Sequence, residues 1–225
     1  MSANPVQRGD ALTVETAAAA VRYLAEHGYE TTTASELADA IGMSRSTFFR
    51  RFGSKEDVIF AEHDLALSRL ELLLAHTDLS PVEAITGSTV EVLHLLIRDT
   101  DAAKLRAKLL RNSSALRERE LVITHRYERL FVEYLTRVAA PGTPAWAPVA
   151  LAAGLVAVHN AALRRWLRDS DARALSSLER QLSELTGRFA PWFGGELQPS
   201  RIVVAAFDTS SSPDEVLRAI EDQLR

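Results

Sequence analysis

No cysteine occurs among the 225 residues. Disulfides, thiol catalysis and cysteine-ligated zinc are therefore excluded. An excess of positive charge is missing as well, 26 Lys and Arg standing against 30 Asp and Glu. The formal net charge is −4, which argues against a general polyanion binder and against a polybasic membrane anchor. Strand-like sequence is confined to one short β-branched run, residues 202–207. Signatures of catalysis are missing: there is no HExxH, no GxSxG, no Walker lysine loop and no dinucleotide glycine fingerprint. The six histidines are scattered, and none pairs with another three or four residues on. Glu62, His63 and Asp64 are adjacent, but neighbours on a helix point apart, so a shared metal is not expected. The reading is of a protein that is not an enzyme and needs no cofactor and no metal. The N-terminal ten residues lack the apolar stretch of a signal peptide, and a cytoplasmic location is expected. Residues 145–163 are uncharged, but they contain Pro148, His159 and Asn160 and are mostly alanine and valine. They read as a buried helix and not as a membrane span.

Apolar residues make up 47% of the chain, enough for a sizeable core in one or two domains. They recur mostly at three- and four-residue spacing, the helical period, so the expected class is all-α. After a loose arm at residues 1–9, helices are expected at about 10–27, 33–41 and 45–52. A long one follows at about 55–75. Further helices are expected at 81–98, 102–112, 116–139, 145–168 and 174–193, with a last one at 213–224. Three units are expected: a helix-turn-helix DNA-binding domain at residues 10–56, a helical ligand-binding and dimerisation domain at 57–199, and an extension at 200–225.

Residues 33–55 are the most informative stretch. Thr33 and Glu36 form a capping box, Gly42 ends one helix, and Ser44 caps the next. That second helix carries Arg45, Arg50 and Arg51, Lys55 follows it, and residues 44–55 hold no acid. In an acidic chain, a cationic island beside a helix-turn-helix pattern points to double-stranded DNA. The second helix of such a motif lies in the major groove with its first turn at base edges. Arg45 and Ser46 occupy that turn, and arginine pairs bidentately with guanine. Thr47, Arg50, Arg51 and Lys55 suit phosphate oxygens, which set register rather than sequence. Leu37, Ala38, Ile41, Met43, Phe48 and Phe52 are expected to pack between the helices. Arg8 is either a minor-groove contact or a solvated arginine. The alternatives to a regulator are an all-helical enzyme and a protein-binding scaffold, and the scaffold leaves the cationic island unexplained.

The segment Gly28-Tyr29, Thr31-Thr32-Thr33, Leu37-Ala38, Ile41-Gly42-Met43-Ser44, Thr47-Phe48-Phe49, Arg51-Phe52 and Ser54-Lys55-Glu56 resembles the TetR family of transcriptional regulators. The resemblance covers residues 11–64. It implies Thr33 and Ser35 near the backbone or groove, Arg45 and Ser46 at bases, and Thr47, Arg51 and Lys55 at phosphates. Two positions depart from the family pattern. Ser46 stands where glycine is usual. Phe49 replaces a tyrosine, so it offers an apolar contact to a thymine methyl or deoxyribose instead of a hydroxyl. The resemblance also implies a homodimeric repressor on a palindromic operator, a four-helix dimer bundle from the last two main helices, and release by a lipophilic or aromatic small-molecule effector, an acyl-CoA being one such molecule.

A dimer seam is legible from spacing alone. Leu175, Leu178, Leu182, Leu185, Phe189 and Trp192 follow one another at three and four residues, the pattern of a helix packed along another at a shallow angle. The preceding helix has two apolar stripes, one including Val149, Ala153 and Val156. These residues are the expected interface, unless both helices belong to a single monomeric core. Residues 202–207 are either an extended surface segment or a strand that pairs with its symmetry mate.

For a ligand, Tyr127, Phe131 and Tyr134 share one helix face, His94, His159 and Asn160 fall in otherwise apolar stretches, and Trp166 closes an apolar stripe of the helix that carries His159. Apolar walls with a few polar anchors make small-molecule sites. The same residues equally suit a plain core. Arg106, Lys108 and Arg111 form a basic cluster that either faces an anionic group or is solvated.

Overall fold

The computed structural model describes residues 5–170 and 173–194, with side chains from Asp10 onward. The β-branched run at 202–207 and the expected last helix lie outside the described residues. Among the described residues there are ten helices and no strand: α1 (Pro5–His27), α2 (Ala34–Ala40), α3 (Arg45–Phe52), α4 (Lys55–Ile59), α5 (Ala61–His76), α6 (Pro81–Ile97), α7 (Thr100–Asn112), α8 (Ser114–Val138), α9 (Trp146–Asp169) and α10 (Arg173–Phe193). The all-α class expected from periodicity is the class observed.

Local chemistry sets most of the boundaries. Thr33, Ser44, Ser54, Ser80, Asp99 and Ser113 each accept a backbone N–H from the first turn of the helix that follows, which satisfies donors that a helix start leaves unpaired. The turn between α2 and α3 closes with Gly42 N–H on Asp39 C=O at 3.1 Å and Met43 N–H on Ala38 C=O at 2.9 Å, a Schellman arrangement. Gly42 sits at φ +72° with open space around it, so the left-handed backbone and not crowding calls for glycine.

Two boundaries differ from expectation. α1 begins at Pro5, so residues 5–9 are helical and not a loose arm; proline is well suited to a first helical turn. The long helix expected after Ser54 is broken at Phe60 (φ −103°, ψ 10°) into α4 and α5. Neither proline nor glycine causes the break. Phe60 N–H still bonds Glu56 C=O, and Phe60 C=O accepts from His63 and Asp64, while its ring is buried. The chain thus changes direction with its backbone bonds kept, which helical periodicity does not encode.

α1 packs against α2, α4, α5 and α7, and α9 packs against α6, α7, α8 and α10. α9 is long and apolar enough to cross a membrane by length and composition alone, yet Leu151, Ala152 and Leu155 on it are fully buried against the other helices. α9 and α10 come very close at Gly154, where a Cβ would meet Leu185 at 3.0 Å.

The expected dimer seam divides in two. Leu178 and Leu182 are 0% exposed and Val156 is 7% exposed, so these three are spent inside the protomer. They fall on the side of the helices that α6 and the interior cover. Leu175, Leu185 and Phe189 are half-buried, Ala153 is exposed, and Val149 is 54% exposed. Trp146, 56% exposed, stacks edge-on against Trp192, and Trp192 against Phe189. The outward face of the pair is therefore Trp146, Val149, Ala153, Leu185, Phe189 and Trp192.

Candidate DNA interface and ligand cavity

α3 buries one side and presents the other. Phe48 is fully buried and Phe52 half-buried, while Arg45, Ser46, Phe49, Arg50 and Arg51 are exposed. Met43, expected in the core, is only half-buried because it belongs to the turn. Arg45 lies over the Phe49 ring at 5.7 Å, so the departure from tyrosine leaves a flat apolar plate beside the first-turn arginine. Arg51 donates to Thr13 Oγ1 at 2.8 Å and covers the Phe52 ring, which holds α3 against α1. Thr33 is committed to its capping box with Glu36. Ser35 and Thr47 are half-buried at the rim of the same face.

Lys55 is placed differently from the arginines. Its Nζ donates to Tyr29 C=O at 2.7 Å and to Thr32 C=O at 3.2 Å, and lies 4.1 Å from the Tyr29 ring centroid. Two of the three N–H bonds of the ammonium are thus engaged with the protein's own backbone.

Between α5, α6, α7, α8 and α9 is a cavity of about 650 Å³. Its inner wall is made by Phe60, His63, Tyr127, Phe131 and His159, and Arg106 reaches it from α7. The exposed guanidinium-bearing residues Arg111, Arg117, Arg164 and Arg168 stand at its mouth. Of the residues expected to face a ligand, Tyr127, Phe131 and His159 line this cavity. His94 does not: it is exposed on the outer side of α6. Tyr134 and Trp166 are buried but outside the cavity wall. Tyr134 is two turns beyond Tyr127 on α8, and Trp166 packs with Ala103 and Ala174.

The basic cluster also divides. Arg111 stands at the mouth and Lys108 is exposed, whereas Arg106 is buried and pairs with the buried Glu62. Glu62, His63 and Asp64 go three separate ways: Glu62 to Arg106, His63 to the cavity, and Asp64 to Arg126 at 2.5 Å. Sequence spacing does not mark His63 as a wall residue, because its neighbours come from elements far apart in the chain.

Burial governs the titration of this wall. Enclosure drives the His63 imidazole down to about 3, helped by the nearby charges of Arg106, His159 and Arg126. It drives His159 down to about 4, partly offset by the hydrogen bond to Asn160. Both rings are neutral at neutral pH. Burial lifts the Glu62 carboxyl above the ordinary carboxylate range, and Arg106 pulls it part of the way back. Burial also raises the Tyr127 phenol, so it stays a hydroxyl. Tyr127 donates to the His63 carbonyl at 3.3 Å, joining α8 to the first turn of α5.

An outward cationic helix behind a tight glycine turn, mounted on a helical body that encloses a largely apolar cavity, defines a helix-turn-helix DNA-binding regulator. A model of the bacterial regulatory proteins of the tetR family matches residues 17–61, and a model of the MftR C-terminal domain matches residues 79–190. Together they span more than half of the chain, and the chain belongs to the TetR family of transcriptional regulators. It is similar to MftR of Mycobacterium tuberculosis, a proposed transcriptional regulator of mycofactocin biosynthesis, at 20% identity over 161 residues, 71% of this chain and 81% of that protein. In fold it is similar to NalD of Pseudomonas aeruginosa, the secondary repressor of the MexAB-OprM multidrug efflux pump (TM-score 0.53, 18% identity, 81% of this chain and 98% of that one). It is likewise similar to the transcriptional regulator FadR of Bacillus subtilis in complex with stearoyl-CoA (TM-score 0.54, 19% identity, 76% of this chain and 95% of that one).

Proposed function

We propose that the protein is a ligand-responsive repressor, acting in the cytoplasm, that binds a palindromic operator as a homodimer and is released by a small lipophilic effector. Residues 10–56 form the reading head in this account, and residues 57–199 hold the effector and the dimer contact. Arg45 and Ser46 read bases, Phe49 contacts a thymine methyl or sugar, and Thr33, Ser35, Thr47, Arg50 and Arg51 set register on the backbone. Lys55 acts at most through its remaining N–H. The partner subunit packs on the outward face around Trp146 and Val149.

The observation that carries the reading is the position of Phe60. It ends α4, starts α5, and is a wall of the cavity. A ligand touching Phe60 and His63 acts at the joint between head and body. Tilting α4 would change the separation of the two heads, which must match half-sites about one helical turn (roughly 34 Å) apart. A ligand that fits the cavity of only one arrangement shifts the population toward it. The mouth arginines suit an effector with an anionic outer group, and an acyl-CoA such as the one bound to FadR has that chemistry. The test is a gel shift with DNA upstream of the protein's own gene, titrated with stearoyl-CoA. Binding to a palindrome that is lost on titration is expected. No shift of any upstream duplex would sink the operator, and tight stearoyl-CoA binding with unchanged DNA affinity would sink release by that molecule.

A further inference from the structure

The cavity is open at one end and closed at the other. Along α8 its lining passes from exposed Arg117 and Glu120 to buried Tyr127 and Phe131. Along α9 it passes from exposed Arg168 and Arg164 to buried His159 and Leu155. The two helices pack on each other, and burial rises in the opposite chain direction on each, so both place the mouth and the floor at the same ends. The floor is packed protein. Tyr134 and Leu135 follow Phe131 on α8, Leu151 and Ala152 precede Leu155 on α9, and all four are buried outside the wall.

These limits give the cavity a length. Arg117 and Phe131 stand 14 residues apart on α8, and Leu155 and Arg168 stand 13 apart on α9. At about 1.5 Å per residue, both spans come to about 20 Å. A volume of about 650 Å³ spread over about 20 Å has a mean cross-section of about 30 Å², a narrow bore. Midway down, the Tyr127 hydroxyl is turned to the His63 carbonyl and the Arg106 guanidinium to Glu62. What faces the bore beyond them is apolar, Phe131, Leu155 and Val156.

The mouth has the opposite character, with four guanidiniums and one carboxylate, Glu120. Arg117 is spent on the Leu110 and Arg111 carbonyls at 3.1 and 2.8 Å, and Arg168 lies 3.3 Å from Asp169. Arg111 and Arg164 are left to meet an anionic group.

We propose that the cavity is a ruler, selecting a linear effector with its anionic head at Arg111 and Arg164 and an unbranched tail of about 16 carbons, whose limit is set by Phe131. An extended hydrocarbon advances about 1.25 Å per carbon, the projection of a C–C bond of about 1.52 Å at an angle of about 111°, so a bore of about 20 Å holds about 16. Each methylene that enters leaves water and tightens binding. Carbons beyond the floor's reach stay at the mouth and add nothing. The proposal rests on the reading of this cavity as the effector site and adds the length of the tail.

The experiment is calorimetric titration of the full chain with decanoyl-, lauroyl-, myristoyl-, palmitoyl- and arachidoyl-CoA. The dissociation constant is expected to fall about ten-fold at each step from decanoyl to palmitoyl, with no further gain from palmitoyl to arachidoyl. Phe131→Ala removes the floor, and this variant is expected to bind arachidoyl-CoA about ten-fold tighter than palmitoyl-CoA, a change of preference that lost stability alone does not produce. An unchanged preference in a folded variant would take the limit away from Phe131. Equal affinity of the wild-type protein across the series would overturn the ruler and leave an acyl-CoA site, and so would a gain that continues undiminished to arachidoyl-CoA. Failure of every acyl-CoA to bind would overturn the ruler together with the acyl-CoA reading. The wild-type series decides the matter even if the variant does not fold.

Discussion

Arg119 on α8 donates to Asp57 on α4 across 2.5 Å, and the same carboxylate accepts the Ser54 hydroxyl that caps α4 at 2.8 Å. One acid therefore ties the body of the protein to the start of the short helix behind the reading head. Seven residues further along each chain segment, Arg126 meets Asp64 at 2.5 Å, so α8 grips both sides of the Phe60 break. Arg119→Ala is expected to cost little global stability, about 0–1 kcal/mol, because the pair is partly exposed. It should nevertheless raise amide hydrogen exchange in α4 and leave α9 and α10 unchanged. Unchanged exchange in residues 55–59 would remove this pair from the coupling.

On the reading helix, Arg45→Ala is expected to lose about 1–3 kcal/mol of operator affinity, concentrated at one base position. Arg50→Ala should weaken all duplexes alike and reduce the slope of affinity against salt by about 1. Fluorescence anisotropy over a salt series, with a selected duplex and its single-base variants, separates the two effects. Equal loss across all variants for Arg45→Ala would reassign it to the backbone.

Lys55 calls for a different expectation from its arginine neighbours. Its ammonium bridges the Tyr29 and Thr32 carbonyls, which belong to the turn leading into α2. Lys55→Met should therefore lower unfolding free energy by roughly 1.5–3 kcal/mol, the range for hydrogen bonds to a charged group. Urea denaturation measures this directly. A variant of wild-type stability with a flattened salt dependence would return Lys55 to the phosphate contacts.

These contrasts show which features local sequence encodes. Thr33, Ser44, Ser54 and Ser80 mark helix starts because a cap bonds within three residues of itself. The turn at Gly42 and the cationic side of α3 are local in the same sense. Long-range facts were not legible. The sequence leaves Arg106 between an anionic group and solvent, because its partner Glu62 is 44 residues away. Periodicity marked Leu178 and Leu182 as apolar-facing but not what they face. The break at Phe60 has no breaker residue, so it follows from packing of the folded chain. Tyr127, Phe131 and Tyr134 share an apolar face of α8, and only the fold shows that Tyr127 and Phe131 line the cavity while Tyr134, farther along the same face, and Trp166 on α9 are buried outside its wall.

The neutral histidines of the cavity give the protein an acid-sensitive interior. His159 is held down at about 4 and His63 at about 3, against about 6.5 in an unfolded chain. Between those values the unfolded state binds more protons than the folded one, so unfolding free energy rises with pH. The stability is complete above pH 6.5 and is lost as pH falls toward 4. Each buried histidine should remove roughly 1–2 kcal/mol between pH 7 and pH 5. The other four, His27, His76, His94 and His125, are exposed. Urea midpoints at pH 7, 6 and 5 test this, and His159→Phe should flatten part of the slope. An unchanged pH dependence in that variant would mean that His159 does not stay neutral on folding.

Two substitutions on neighbouring helices separate the partner surface from the core. Val149 is 54% exposed on α9, whereas Leu182 is fully buried on α10. A glutamate at Leu182 would place a charge in a packed interior, so Leu182→Glu should lose about 4 kcal/mol or more of stability whatever the oligomeric state. A glutamate at Val149 stays in water in an isolated protomer and is desolvated only if a second copy covers it. Val149→Glu should therefore keep wild-type helicity and thermal stability at low concentration yet sediment as a monomer. It should also bind a palindromic duplex far more weakly than wild type, because only one reading head is then delivered per binding event. A Val149→Glu protein that still sediments as a dimer would move the subunit contact away from the Trp146–Val149 face.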